Sequence, residues 1–232
     1  MQNILIIGAS GGIGNTLANT LHAEGHRIFG TYHRNKMSTT ANGFTMHHLD
    51  VLDENPDLGF LPDSLDGLAY CPGSIVLKPF TRLNSEDFLE DYRLQVLGAI
   101  KVIQGCMKML RAAASPSVVL FSTVAVQRGF RFHSQIAASK GALEGLTRSL
   151  AAEYAPKIRF NCIAPSLTDT PLASGLLGTE EKRAANADRH PLKRVGKPED
   201  LAAMAAFLLT GKSDWISGQV LHVDGGISSI NS

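Results

Sequence analysis

Short apolar runs alternate with segments of helical periodicity along most of the chain. The runs are four to six residues long, which is the length of a strand buried on both faces of a parallel sheet. Strands that alternate with helices predict an α/β fold, with a single doubly wound domain over 1–232, a seven-stranded, mainly parallel sheet and helices on both faces. The predicted strands are 4–7, 27–31, 45–48, 67–70, 117–122, 159–163 and 219–223, and the predicted helices are 13–24, 86–113, 135–155 and 198–210.

Two helix starts and one long excursion can be placed from individual residues. Ser85 is predicted to cap the helix that follows it, because a serine oxygen accepts a backbone N–H and the next two residues are acidic. Pro198, also followed by two acidic residues, opens a later helix in the same manner. The stretch 168–194 has no strand pattern and contains glycine, proline and polar residues. It is predicted to be a mobile excursion that forms a lid over the ligand crevice.

The residues after the first predicted strand form a glycine-rich turn with the sequence GASGGIG over 8–14. Gly8 lets the chain turn off the strand, Gly12 removes a side chain where a phosphate would approach, and Gly14 lets the next helix pack closely. The N–H groups and the dipole at the start of that helix favour an anion. An ordinary glycine-rich turn is the alternative. The position between a strand and a helix favours a cradle for the pyrophosphate of a dinucleotide.

Composition and charge argue against several kinds of partner. The formal net charge of +1 over 232 residues gives no reason to expect a nucleic acid or an acidic membrane surface. No apolar stretch is long enough for a membrane span, and the N-terminus lacks a signal-peptide pattern, so a cytoplasmic location is expected. The three cysteines lie far apart and are expected to be free thiols.

The histidines do not predict a metal site. His47 and His48 are neighbours on a predicted strand, so their side chains face opposite sides of the sheet. No carboxylate or cysteine partner is evident nearby, and no metal ligand is expected. His190 is expected to be a surface or capping residue.

Several ordered motifs resemble the classical short-chain dehydrogenase/reductase family over essentially the whole length of the chain. The resemblance implies a Rossmann-like fold, NAD(P)-dependent oxidoreduction, and homodimers or homotetramers formed through the helices 86–113 and 135–155. The motifs are GASGGIG at 8–14, Asp50–Val51 after the third strand, AASKGALEGLTRSLAAEYAP at 137–156, NCIAPSLTDTP at 161–171, HPLKRVGKPEDLAAMAAFLL at 190–209 and ISGQVLHVDGG at 216–226.

The resemblance also assigns residues that would hold NAD(P). In the family, the positions of Asp50 and Val51 lie against the adenine, and the lysine at Lys140 bonds the nicotinamide ribose. The segment 165–170 covers the nicotinamide. Two departures are that Ser166 occupies a usual glycine position and that AYCPG at 69–73 replaces the common NNAG. The cofactor residues assigned in this way are Gly8, Ser10, Gly12, Ile13, Gly14, Asp50, Val51, Gly73, Lys140, Pro165, Thr168 and Thr170.

The residues at the end of the second predicted strand indicate whether NAD(H) or NADP(H) is bound. An acidic residue there would accept the adenosine ribose hydroxyls and repel a 2′-phosphate. The chain has no carboxylate at this point and continues with His33 and Arg34. The guanidinium of Arg34 is a planar fork of donors suited to a phosphate, and His33 can add a donor. NADP(H) is therefore favoured over NAD(H), with the alternative that both side chains are solvated surface residues.

The catalytic machinery implied by the resemblance is incomplete. The family uses a tyrosine four residues before Lys140 to move a proton, assisted by the lysine ammonium and a serine hydroxyl. Ile136 stands at the tyrosine position and cannot donate a proton, whereas Thr123 can take the role of the serine. Gln95 replaces the asparagine of the family's proton relay. The sequence offers His133 as a substitute acid, at the place where related enoyl-acyl-carrier-protein reductases carry their tyrosine, with a surface-loop histidine as the alternative.

Three functions stay open at this point. The first is an oxidoreductase that interconverts a carbonyl and an alcohol on an unknown small molecule, with Lys140, Thr123 and His133 as catalytic residues. The second is a hydride transfer whose proton comes from water or is not needed. The third is a protein that binds NAD(P) without turning it over, as a sensor or a structural subunit. The surviving nicotinamide half of the site favours chemistry.

Overall fold

The computed structural model describes residues 1–34 and 44–231. These residues form one parallel sheet with strands β1 (Asn3–Ile7), β2 (Arg27–Tyr32), β3 (Thr45–His48), β4 (Gly67–Tyr70), β5 (Ser117–Phe121), β6 (Arg159–Pro165) and β7 (Val220–Val223). Their spatial order is β3-β2-β1-β4-β5-β6-β7. Every predicted strand is confirmed, each within two residues of its predicted bounds. The strand order reverses between β1 and β4, which is where open parallel sheets bind ligands.

Helices cover both faces of this sheet, as predicted. They are α1 (Gly12–Ala23), α2 (Ser85–Tyr92), α3 (Gly98–Ala112), α4 (Ser134–Tyr154), α5 (Ser174–Leu177), α6 (Glu180–Asp188) and α7 (Pro198–Leu209). On one face α3 and α4 bury Val102 and Leu143, and on the other α1 and α7 bury Leu17 and Leu208. Burying one such side chain contributes roughly 1.5–3 kcal/mol. None of the described helices is long and apolar enough to cross a membrane.

The single helix predicted over 86–113 is wrong, because a π-helical turn at Arg93–Leu97 divides it into α2 and α3. The wider turn leaves the Leu94 carbonyl to accept a hydrogen bond from the buried Tyr70 hydroxyl at 2.6 Å. The same turn buries Gln95 completely. Turns of this kind are often found at functional sites, and this one brings Gln95 toward the carboxyl end of β4.

One further local prediction, the capping residue of α2, needs correction. Asn84, not Ser85, caps α2, because its side-chain oxygen accepts the N–H of Asp87 at 3.0 Å and the Asp87 carboxylate accepts the N–H of Asn84 at 2.9 Å. This reciprocal arrangement satisfies two backbone donors at once. The excursion 168–194 contains no strand, as predicted, and the short helices α5 and α6 lie within it.

Strand β6 is anchored at its start by the buried guanidinium of Arg159. This group donates to the Leu208 carbonyl at 3.1 Å and to the Ile216 carbonyl at 3.3 Å. The last carbonyl groups of a helix have no partner within the helix, so Arg159 satisfies an acceptor at the end of α7. The anchor fixes the strand whose other end, at Pro165, borders the crevice.

Candidate functional site

The turn between β1 and α1 has the backbone conformation that only glycine adopts easily. Gly8 and Gly12 have φ angles of +78° and +50°. A Cβ on Gly14 would lie 2.3 Å from the Gly8 carbonyl oxygen, so the helix packs against the turn as closely as two backbones allow. Ser10 belongs to the same turn, and Ile13 lies in the first turn of α1. The start of α1 thus faces the crevice with its backbone N–H groups uncovered, as an anion site requires.

The ends of β2 and β3 form the region assigned to adenosine. His33 Nε2 lies 3.3 Å from Asp50 Oδ2, and the other Asp50 oxygen accepts the N–H of Leu52 at 2.9 Å. Val51 is buried next to them. Arg34 is exposed and forms no ion pair with any residue that the structure describes. The carboxylate in this region is therefore held by His33, while the guanidinium stays available.

A cavity of about 270 Å³ opens at the carboxyl ends of the central strands. It brings together all three residues predicted to be catalytic, although they come from separate parts of the chain. The predicted residues that line this cavity are Ile13, Gly73, Thr123, His133, Lys140, Pro165, Thr168 and Thr170. The other predicted residues line the turn or the adenosine region instead, and these are Gly8, Ser10, Gly12, Gly14, His33, Arg34, Asp50 and Val51.

Lys140 is buried in the cavity wall, and its Nζ donates to the Phe121 carbonyl at 2.8 Å. Burial lowers the pKa of Lys140 to about 8, because an ammonium loses hydration there. A Cβ on Gly73 would lie 3.7 Å from Lys140 Nζ and 3.6 Å from Gln95 Oε1. Glycine at this position therefore leaves the amine accessible from the cavity.

Thr123 and its neighbour Ser122 point in opposite directions, as strand alternation predicts. The Thr123 hydroxyl oxygen accepts the N–H of Ala125 at 3.3 Å, which leaves its own proton free to donate. Ser122 donates to the buried Glu144 carboxylate at 2.7 Å and so belongs to the core beneath α4. Of the two hydroxyls, the Thr123 group is the one suited to a substrate oxygen.

Ile136 and His133 occupy the wall near the start of α4. Ile136 is buried and lines the cavity one helical turn before Lys140, so an aliphatic surface stands where the family has a phenol. His133 is partly exposed at the rim, with Nδ1 2.7 Å from the Arg131 carbonyl and its ring beside Phe130. The imidazole therefore lies in the cavity lining, and its Nε2 is the nitrogen left to act there.

Of the two alternatives predicted for His190, a surface residue is wrong, whereas a capping residue is confirmed, because the imidazole bonds a carbonyl in the last turn of α6. Only 4% of His190 is exposed, and it lines the same cavity. Its Nε2 lies 2.8 Å from Ser166 Oγ, and its Nδ1 lies 2.7 Å from the Asn186 carbonyl oxygen. The Asn186 carbonyl belongs to α6, a helix that the sequence did not predict. The unusual serine after Pro165 was the one signal that could have directed attention here.

Behind the cavity lies a buried polar cluster, of which the sequence had singled out Gln95 alone. Ser74, which lines the cavity, donates to the buried Asp91 carboxylate, and the Gln95 amide donates to the same carboxylate at 2.7 Å. One Asp91 oxygen and the Gln95 Oε1 are buried without a hydrogen-bond partner among the described residues. Both come from the segment around the π-helical turn, whose geometry no sequence pattern indicated.

Comparisons with known proteins are consistent with this geometry. A family model described as enoyl-(acyl carrier protein) reductase matches residues 8–228. L-xylulose reductase of Bos taurus is 30% identical over 235 residues, which cover 97% of this chain and 96% of the relative. A tropinone reductase homolog of Arabidopsis thaliana is 37% identical over 157 residues, 67% of this chain but only 60% of that relative's length. The ligand-free structure of Thermoplasma acidophilum aldohexose dehydrogenase has a TM-score of 0.88 and 25% identity, covering 100% of this chain and 96% of that one.

Proposed function

The chain belongs to the short-chain dehydrogenase/reductase family, and on that premise we propose that it interconverts a carbonyl and an alcohol on a small molecule with NAD(P)(H). The observation that supports this most directly is that Thr123, Lys140 and Thr170 line one cavity together with Gly73. A protein that only anchored the adenosine half of a cofactor would not need these groups on the nicotinamide side.

The described residues fit a nicotinamide dinucleotide. The turn over 8–14 presents backbone N–H groups, and a Cβ on Gly12 would lie 3.3 Å from the Thr170 side chain, so glycine keeps that passage open. Gln95 Oε1 is buried, lacks a partner among the described residues and lies near Gly73 beside Lys140 Nζ. Once bound, the cofactor would supply or accept the hydride.

The chain's own residues would orient the substrate and handle its proton. The Thr123 hydroxyl donates to the reacting oxygen, and the Lys140 ammonium favours negative charge that develops on it. Ile136 excludes water from the wall but supplies no proton. The proton must come from another group, and two imidazoles line the cavity. One of them is His133, the substitute acid predicted from the sequence, and the other is His190.

One observation favours a second function. Ile136 is a buried aliphatic residue at the place where the family keeps its proton donor. A chain that had lost turnover and kept only the cofactor site would tolerate such a residue without cost. The alternative is therefore a non-catalytic NAD(P)-binding sensor or structural subunit.

Cofactor titration followed by a carbonyl panel separates the two functions. We expect NADPH fluorescence to change on binding, and NADPH to be oxidised by the wild type with at least one of octanal, 2-octanone and 1-phenyl-1,2-propanedione, since the cavity lining is largely apolar. The variant Ile136→Tyr is the matched comparison, because it restores a phenol one turn before Lys140. Binding without oxidation by the wild type, with activity appearing only in Ile136→Tyr, would establish the non-catalytic function instead.

The preference for NADP(H) is proposed to depend on Arg34. The guanidinium is exposed beside the Asp50–His33 pair and has no ion-pair partner among the described residues. We expect Arg34→Ala to weaken NADPH binding by about tenfold, the size of one charge-assisted phosphate contact, and to leave NADH binding unchanged. Fluorescence titration with both cofactors measures this ratio. Arg148→Ala, an exposed arginine on α4, is the control, and equal weakening of NADPH and NADH would contradict the proposal.

A homodimer or homotetramer through α2, α3 and α4 is also proposed, as the family resemblance implies. Leu89, Tyr92 and Leu97 expose 47%, 38% and 39% of their surface along α2 and the π-helical turn. Apolar side chains grouped on one helical surface favour a subunit contact. The cytoplasmic location stays a prediction.

A further inference from the structure

We propose that Ser166 and His190 form a proton relay that serves the reacting oxygen of the substrate in place of the missing tyrosine. The inference rests on the proposed carbonyl–alcohol reaction. It assigns the role of proton donor to the buried imidazole of His190 rather than to that of His133 at the rim.

The hydrogen bonds around His190 fix which ring nitrogen exchanges its proton. The Asn186 carbonyl oxygen, 2.7 Å from Nδ1, can only accept, so Nδ1 carries a hydrogen in either charge state. The exchangeable position is therefore Nε2, which lies 2.8 Å from Ser166 Oγ. A neutral ring accepts the serine proton, whereas a charged ring donates to the serine oxygen. This pair has the geometry of a hydroxyl and its base, with the base oriented by a third group.

The two residues are placed so that only the serine needs to meet the substrate. Ser166 directly follows β6 and lines the cavity together with Thr123 and Lys140. The ring of His190 packs against Gly225, where an added Cβ would lie 3.5 Å from its Cβ and Cδ2 atoms. Gly225 has a φ angle of +63°, so its backbone resists a side chain as well. The imidazole is therefore held in one orientation behind the hydroxyl.

A second cavity gives the imidazole its own route to water. This cavity, of about 300 Å³, is lined by Ser166, His190 and His222, and it shares Ser166 and His190 with the substrate cavity. His190 is thus shared between two cavities while staying almost completely buried. The ring can exchange its proton with solvent without release of the substrate.

The relay balances in both directions. In reduction, hydride passes from the reduced nicotinamide to the carbonyl carbon, and Ser166 Oγ–H gives its proton to the oxygen. His190 Nε2–H then restores the serine proton, so the products are the alcohol, the oxidised cofactor and a neutral imidazole. In oxidation, Ser166 accepts the alcohol proton and passes its own to Nε2 while hydride leaves the carbon. The imidazolium loses that proton to water.

His190→Gln tests the relay because glutamine keeps a group that can hydrogen-bond Ser166 but does not titrate. With NADPH and the panel compound that the wild type converts fastest, we expect kcat to fall about 100-fold, the usual contribution of a general acid. KM, the Kd for NADPH and the melting temperature should stay close to wild type. Ser166→Ala should show the same loss, and Ser166→Thr, which keeps the hydroxyl, should restore most of kcat. His22→Gln on α1, outside both cavities, is the matched control.

Three results would overturn the relay. They are an unchanged kcat in His190→Gln, a loss confined to KM or to the NADPH Kd, and a loss of kcat in His133→Ala with His190→Gln active. The last result would assign the proton to the rim imidazole. A wild type that binds NADPH but converts no panel compound refutes the proposed function, whereas an active wild type indifferent to His190→Gln refutes the relay alone.

Discussion

Replacement of Lys140 by methionine should stabilise the unliganded protein at pH 7 and at the same time abolish turnover. The folded chain holds the Lys140 pKa near 8, against an ordinary value of 10.5, because burial strips the ammonium of water. The difference between these values corresponds to roughly 3 kcal/mol at neutral pH. Loss of the hydrogen bond to the Phe121 carbonyl takes back about 1–2 kcal/mol. We therefore expect a net gain of about 1–2 kcal/mol, or a few degrees in melting temperature.

The gain in stability of Lys140→Met over the wild type should decrease as the pH rises. Between pH 8 and 10.5 the unfolded chain binds the Lys140 proton more tightly than the folded chain, so the free energy of unfolding of the wild type rises with pH. The advantage of Lys140→Met is therefore largest below pH 8 and shrinks as the pH approaches 10.5. Thermal melts at pH 7 and 10 measure this difference. Lys108→Met, an exposed lysine on α3, should show no such change.

Turnover by Lys140→Met should fall about 100- to 1000-fold, because the charge that favours a developing alkoxide is removed. Steady-state kinetics with NADPH and the best panel compound give this number. A methionine variant less stable than the wild type at pH 7 would show that burial of the Lys140 ammonium does not destabilise the folded protein. Full activity would show that the ammonium has no part in the reaction.

Gly14→Ala should disrupt both the fold and the cofactor site. The added Cβ would lie 2.3 Å from the Gly8 carbonyl oxygen and 3.0 Å from its carbon, so backbone rather than a flexible side chain must move. Overpacking of this kind costs about 3 kcal/mol or more. A shift of the turn also misplaces the N–H groups at the start of α1, and we expect NADPH binding to weaken about 100-fold. Thermal melts and fluorescence titration measure the two effects.

The same turn provides the control for this prediction. Gly11 has an extended φ of −166°, and a Cβ there would meet nothing within 4 Å. Gly11→Ala should therefore retain the wild-type melting temperature and NADPH affinity. If Gly14→Ala also retained the wild-type melting temperature and NADPH affinity, the cofactor site would not depend on the close approach of α1 to β1.

Much of the fold could be predicted because its signals are local. The strands are short apolar runs, and the glycine turn carries its conformation in its own residues, so both were identified from the sequence. The π-helical turn at Arg93–Leu97 could not be, since it depends on the Tyr70 hydroxyl bonding the Leu94 carbonyl from another element. Asn84 was missed as a cap because Ser85 offers a similar oxygen one residue later.

The candidate site likewise contains residues that could be predicted from the sequence and one that could not. Thr123, His133 and Lys140 were assigned by the resemblance to the family, and the structure brings them to one cavity. The burial of His190 was not predictable, because the ring bonds Ser166 and the Asn186 carbonyl of α6 and packs against Gly225, which are distant features or depend on an unpredicted helix. A histidine in a polar stretch gives no local sign that tertiary packing will exclude water from it.

The pairing of α1 with α7 has a consequence for the order of events during synthesis. The helix that follows the glycine turn is synthesised well before its partner α7, which begins at Pro198. Until α7 emerges, Leu17 and Leu21 can pack only on the sheet and lack the apolar neighbours that α7 provides. Domains of this topology require long-range contacts before they become stable. The packing behind the cradle is therefore completed only after α7 has been synthesised, and a nascent chain that stalled before α7 would leave part of the apolar face of α1 open to chaperones.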